Sequence, residues 1–191
     1  MTESPTVQLR REHELVLLVV AAMEREAESL RAGEVHAATI AQMVGFTRNF
    51  TDGCHHGKEE QVLFPWLKDM PPTPGVPAAP RDIVAVMLSE HDAGRQAIRA
   101  IAENLPAADT DEQARTTVAD NLAAYARLLR MHIHKENEVL FPLADRLLDE
   151  ANRERIAAEF ERVEQERAGG VTHDDYERLA KQLAGEEPSG R

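Results

Sequence analysis

Residues 55–65 read HHGKEEQVLFP, and residues 132–142 read HIHKENEVLFP. Upstream of each copy stands a Glu-His pair, Glu12-His13 in REHELVLL and Glu90-His91 in SEHDAGRQAI. The histidines lie 42 positions apart in the first half (13 to 55) and 41 in the second (91 to 132). Imidazole nitrogens and carboxylate oxygens are donors to hard and borderline cations, so a set that recurs with its spacing intact is a candidate metal site. On a helix, residues four apart share a face. His55/Glu59, His56/Glu60, His132/Glu136 and His134/Glu138 all meet that condition. The repeat chooses among them. His56 and Glu60 align with Ile133 and Asn137, and His134 and Glu138 align with Gly57 and Gln61. Only 55/59 and 132/136 keep both residue types in both copies.

Levels along antiparallel rods follow from distance to the connecting turn. The midpoint of 13 and 55 is 34, on the Gly33-Glu34 break, and that of 55 and 91 is 73, in a proline-rich stretch. The midpoint of 91 and 132 falls between Asp111 and Glu112, close to the third break. The spacing therefore predicts His13, His55, His91 and His132 in one layer, with Glu59 and Glu136 one turn away. An isolated i,i+4 His/Glu pair is ordinarily a solvated surface pair. Six such groups buried without partners would cost several kcal/mol each, a cost that a cation removes. Nitrogen and carboxylate donors without sulfur suit iron or manganese better than structural zinc or Cu(I). Two ions would each take two imidazoles, one oxygen from each of Glu59 and Glu136, and a bridging oxo or hydroxo group. That leaves a position open on each for O2, NO or peroxide. The ferritin-like template needs Glu three residues before His in two places, and no histidine here has it.

The elements that must carry these residues are helical. The 191 residues hold 42% hydrophobic and 29% charged side chains but only 4% aromatics, which favours helices over strands. Four long stretches are predicted: about 6–32, 35–70, 82–104, and a fourth capped by Asp109 or Thr110 and running to about 150. PPTPGVPAAP (71–80) is a connection. The expected fold is an all-α, up-down-up-down antiparallel four-helix bundle over residues 1–150. Residues 151–191 form a C-terminal helical extension, with helices near 152–167 and 173–183, a break at Gly169-Gly170 and a frayed GEEPSGR end. A net charge of −12 opposes nucleic acid and anionic membranes as partners. The single Cys54 excludes an intrachain disulfide, no apolar run approaches the ~18 residues of a membrane span, and no export signal is apparent. The expected compartment is the cytoplasm.

The pattern EH…HHGKEEQVLFP…EH…HIHKENEVLFP resembles the hemerythrin-like HHE cation-binding family over roughly residues 8 to 150. The resemblance implies a four-helix bundle around a non-haem di-iron centre ligated by His13, His55, Glu59, His91, His132 and Glu136. It implies binding of O2, NO or peroxide. The alternatives are peroxide decomposition, or iron or oxygen sensing through a protein partner. Oxygen-transporting members carry a fifth histidine that saturates one iron. None is found here in the equivalent place. On a regular helix His56 and His134 are rotated by about 100° and 200° from the ligand face, and His36 lies several turns away. A symmetric pair of open irons is therefore expected, and His56→Ala is expected to change neither metal content nor melting temperature.

Other residues are read with both roles open. Glu12 and Glu90 either orient a neighbouring imidazole or form surface salt bridges. Tyr125, seven residues before His132, either approaches the metals or packs in the core. Cys54 is expected to act as a small apolar side chain, and His173 to be exposed. Phe64-Pro65 and Phe141-Pro142 are expected to kink their helices.

Overall fold

The structure is a computed structural model that describes residues 4–70, 80–167 and 171–186. Helix α1 (Pro5–Arg31) is the first rod. Its stop is a Schellman turn: Gly33 at φ +91° donates to Leu30, and Glu34 donates to Ser29. The second rod covers residues 37–69 and is not one regular helix. Helix α2 (Ala37–Phe46) runs into a π-helix (Thr47–His56), then a second π-segment (Glu59–Leu63), then α3 (Phe64–Asp69). Helix α4 (Pro80–Asn104) is the third rod, closed by a 3-10 turn (Leu105–Ala107). The fourth is α5 (Glu112–Lys135), a π-segment (Glu136–Leu140) and α6 (Phe141–Leu147). These rods form the expected all-α bundle, and no strand occurs among the described residues. The loop at 71–79 and the Gly169-Gly170 break lie outside the described residues, as do residues 187–191.

Two local expectations are corrected. The fourth rod is capped by Asp111, not by Asp109 or Thr110: its carboxylate accepts from the backbone N–H of Gln113 (2.8 Å) and Ala114 (3.2 Å). Pro65 and Pro142 also do more than kink a helix. Each follows a π-segment at the same place in its copy of the repeat. A proline cannot donate to the carbonyl four residues back and its ring crowds that carbonyl, so the preceding turn widens to i→i+5 pairing.

The core is divided. One apolar cluster gathers Val16 to Leu30 of α1, Ile40 to Phe50, Ile98 and Ile101, and Val118 to Ile133. The other holds Leu9, Leu63, Phe64, Leu67, Val84, Met87, Leu140 and Phe141. In the first three rods the predicted ligands fall between the two clusters; in the fourth, His132 stands at the end of the first cluster and Glu136 between the two.

The C-terminal helices close the outside. Helix α7 (Glu150–Arg167) buries Ile156 and Phe160 in the second cluster. It comes close over Gly57, where a Cβ would stand 3.3 Å from Val163 Cγ1. Helix α8 (His173–Ala184) starts with a Thr172/Asp175 capping box, buries Ala180 and Leu183 in the first cluster, and leans Tyr176 on Phe50 at 5.1 Å between ring centroids. Arg25 of α1 donates to the last carbonyls of α8, Leu183 and Ala184, at 3.0 Å each. Removing the fully buried Phe160 ring by Phe160→Ala is expected to cost about 3–5 kcal/mol in urea denaturation. A loss under about 1 kcal/mol would mean that α7 is not packed as described.

Candidate metal centre

The six predicted residues converge. His13, His55, His91 and His132 are 1–2% exposed, and Glu59 and Glu136 are fully buried. Nε2 of His13 stands 3.1 Å from Nε2 of His55, and Nε2 of His91 stands 3.1 Å from Nε2 of His132. The two pairs correspond across the repeat. Each outer nitrogen has a polar partner: His13 Nδ1 with Asn137 Oδ1 (3.0 Å), His55 Nδ1 with Glu12 (2.9 Å), His91 Nδ1 with Glu60 (2.7 Å) and His132 Nδ1 with Glu90 (2.9 Å). Such partners hold the proton of a neutral ring on Nδ1, and its Nε2 then turns a lone pair inward.

The carboxylates face those lone pairs. Glu136 lies 3.0 Å from His13 Nε2 through one oxygen and 3.2 Å from His132 Nε2 through the other. Glu59 lies 3.7 Å from His55 Nε2 and 3.5 Å from His91 Nε2, again through separate oxygens. With Nδ1 protonated, these are contacts of acceptor with acceptor, and all four carboxylate oxygens are buried without a hydrogen-bond donor. A cation between them resolves the clash. Two nitrogens bound at right angles to one ion at about 2.1 Å would stand roughly 3.0 Å apart, close to the spacing found in both pairs.

His56 is the correction to the site. It was placed off the ligand face, yet it is 5% exposed and its ring stacks on His91 at 3.7 Å. Its Nδ1 is held by Asp52 at 3.3 Å, and its Nε2 is buried with no partner. The held Nδ1 is the arrangement of the other four imidazoles. Two overlapping groups of side chains can therefore hold a cation: His13, His55, Glu59 and Glu136, and His56, Glu59, His91 and His132. Thr47–His56 is a π-helix and not the regular helix that a rotation of 100° per residue assumes, and His56 faces α4 beside His91. His134 and His36 are exposed and stand outside the centre, and His36 pairs with Glu26 at 3.0 Å.

The orienting role of Glu12 and Glu90 holds, and each also meets a lysine, Lys58 and Lys135 respectively. These lysines recur three residues after His55 and His132, a signal that the repeat carried openly. Glu60 and Asn137, set aside because they do not match in type, occupy matching places as acceptors for a histidine of the opposite half. The halves differ around Lys58. It is fully buried and also pairs with Glu164 of α7, a second carboxylate that has no counterpart beside Lys135 among the described residues. Tyr125 is buried, reaches Thr47 with its hydroxyl, and lines a cavity that His56, His91 and His132 also line. Burial raises the Cys54 thiol to about 11, which keeps it protonated and unreactive. His173 is exposed, with its ring edge-on to Phe50.

Burial pushes the Glu59 carboxyl well above the usual range, and the charge of Glu136 pushes it further. Burial also lowers His55 to about 4, against the pull of Glu12. His132 moves the other way, to about 9, because Glu136 and Glu90 outweigh its burial. Glu12 falls from 4.5 to about 2: burial opposes ionisation, but the His55 hydrogen bond and the Lys58 charge prevail. A carboxyl lowered on folding stabilises fully above its unfolded value and loses that contribution as pH falls toward the folded one. Glu12 is expected to contribute about 3 kcal/mol above pH 4.5, decaying toward pH 2. Urea titrations of the metal-free protein from pH 5 to 3.5 are expected to show a shallower loss for Glu12→Gln than for the native chain. Equal slopes would contradict the assignment.

Among the described residues no helix is long and apolar enough to cross a membrane. Residues 4–144 match the hemerythrin HHE cation-binding domain. The uncharacterized proteins Rv1995 of Mycobacterium tuberculosis (strain ATCC 25618 / H37Rv) and Mb2018 of Mycobacterium bovis (strain ATCC BAA-935 / AF2122/97) are each 28% identical to the chain over 163 residues. The match covers 84% of this chain and 61% of theirs, so the chain spans about three-fifths of the length of these relatives. Helices α7 and α8 lie beyond the matched domain. From its motif pair, its bundle and this match, the chain belongs to the hemerythrin HHE cation-binding domain family.

Proposed function

We propose that the chain holds two iron ions and binds a small diatomic ligand, O2 or NO, at the centre they form. One observation carries the reading. Each buried carboxylate turns one oxygen toward each histidine pair, and none of those oxygens has a hydrogen-bond donor. In this reading Glu59 and Glu136 bridge the ions. His13 and His55 hold the first, and His91 and His132 hold the second. His56 adds a third imidazole to the second. Iron supplies a redox-active centre there, and the nitrogen and carboxylate donor set favours iron or manganese.

With His56 counted, the two positions are unequal: the second would offer an ion the fuller donor set, and the first would leave it more open. This supports reversible binding of one diatomic molecule over chemistry at two equivalent open ions. The protein's own part is to orient the donors and exclude water. Phe141 stacks on His13 at 5.4 Å and Phe64 on His91 at 5.8 Å, giving the layer apolar walls.

Anaerobic loading with ferrous iron is expected to give two irons per chain by elemental analysis, with distinct optical bands on adding O2 or NO. His55→Ala and Glu136→Ala are expected to lose iron and lower the melting temperature. His56→Ala is expected to fall short of two irons, because it removes a ligand from one position. Full iron in all three variants would contradict the ligand set. Rapid peroxide consumption without an O2 or NO adduct would favour the peroxide-decomposing alternative.

A further inference from the structure

A cavity of about 310 Å³ opens beside the metal layer, between the second rod, α4 and α5. Its inner end is formed by His56, His91 and His132, and its walls include Ile98, Leu129 and the ring of Tyr125. Gly94 sets its width. A Cβ there would stand 3.3 Å from Tyr125 Cε2.

Charge decides what the cavity suits. Five charged side chains line it: Arg48, Arg95, Arg99, Asp52 and Glu90. Arg95 is already committed to Asp52 and Glu60, at 2.7 Å each, and to Asp92 at 3.1 Å. Glu90 is neutralised by Lys135. Arg48 and Arg99 are exposed and make no ion pair among the described residues. Two guanidiniums without an ion-pair partner among the described residues thus flank the cavity of a chain with a formal charge of −12. Guanidinium groups favour carboxylates because their donors match both oxygens. The apolar walls want a hydrocarbon body, and the volume is at the low end for small-ligand pockets, roughly 300–1,000 Å³.

We propose that this cavity binds a small organic carboxylate. Its acid group lies against Arg48 and Arg99, and its apolar body lies along Ile98, Leu129 and Tyr125. The carboxylate's place at Arg48 and Arg99 is distinct from the metal positions, though His56, His91 and His132 border both. Occupancy there places an anion next to the imidazole that distinguishes the two halves of the centre.

The test is calorimetric titration of the iron-loaded full chain with benzoate, benzyl alcohol and benzylamine. Benzoate is expected to bind, and the neutral and cationic analogues are not. Arg48→Ala and Arg99→Ala are each expected to weaken benzoate roughly tenfold or more. Both side chains are exposed, so iron content and melting temperature are expected to stay at native values. Equal binding of benzyl alcohol, no benzoate heat at millimolar concentration, or unchanged affinity in both variants would each overturn the proposal. Benzoate binding that vanishes with iron but ignores both arginines would place the anion on the metal and also overturn it. If the protein takes up no iron, the di-iron reading fails by elemental analysis, while the arginine dependence can still be measured on the same chain.

Discussion

The structure is organised around a layer of lone pairs that face one another in a dry interior. Five imidazole Nε2 atoms and four carboxylate oxygens point inward, and their outward nitrogens are already committed to Asn137, Glu12, Glu60, Glu90 and Asp52. Acceptors crowded to 3.0–3.7 Å repel unless positive charge lies between them. Protons can supply part of it, as the raised Glu59 and His132 values indicate, but protons satisfy one acceptor at a time. A divalent ion satisfies several at once. The two apolar clusters on either side of the layer fix the rods that carry these donors.

The duplication explains most of the geometry. Each hairpin contributes a Glu-His pair, a His-x-x-Lys-Glu run and an acceptor five residues after its second ligand histidine. The acceptor of one hairpin, Glu60 or Asn137, holds the Nδ1 of a histidine in the other. The halves therefore lock together through the groups that orient the ligands. Two features break the symmetry. His56 stands where the second copy has Ile133, and α7 adds Glu164 to the Glu12–Lys58 pair. One side of the centre is thus roofed by α7 through a buried charge network, and the other borders a solvent cavity with a third imidazole.

The convergence of the six side chains was legible because helix periodicity and turn midpoints are insensitive to small irregularities. A residue displaced by part of a turn still falls in the right layer. Membership of a face is less forgiving. His56 was excluded by its rotation on a regular helix, and the π-helix over Thr47–His56 leaves no periodic trace in the letters around it. The prolines at 65 and 142 were the available sign that this backbone departs from α geometry, and they read as kinks. Glu60 and Asn137 were missed for another reason: they differ in type but share an acceptor oxygen, and their partners sit on another rod. Capping was off by one residue or two, since Asp109, Thr110 and Asp111 are all competent and only the backbone path chooses.

The central claim is that two cations fit between the two histidine pairs, joined by Glu59 and Glu136. Anomalous diffraction at the iron edge, from crystals grown with ferrous iron, tests it most directly. The account predicts two peaks about 3.5–4 Å apart, one against His13 and His55 and the other against His56, His91 and His132, with both carboxylates spanning them. A single peak, or six side chains surrounding no peak at full iron, would contradict it.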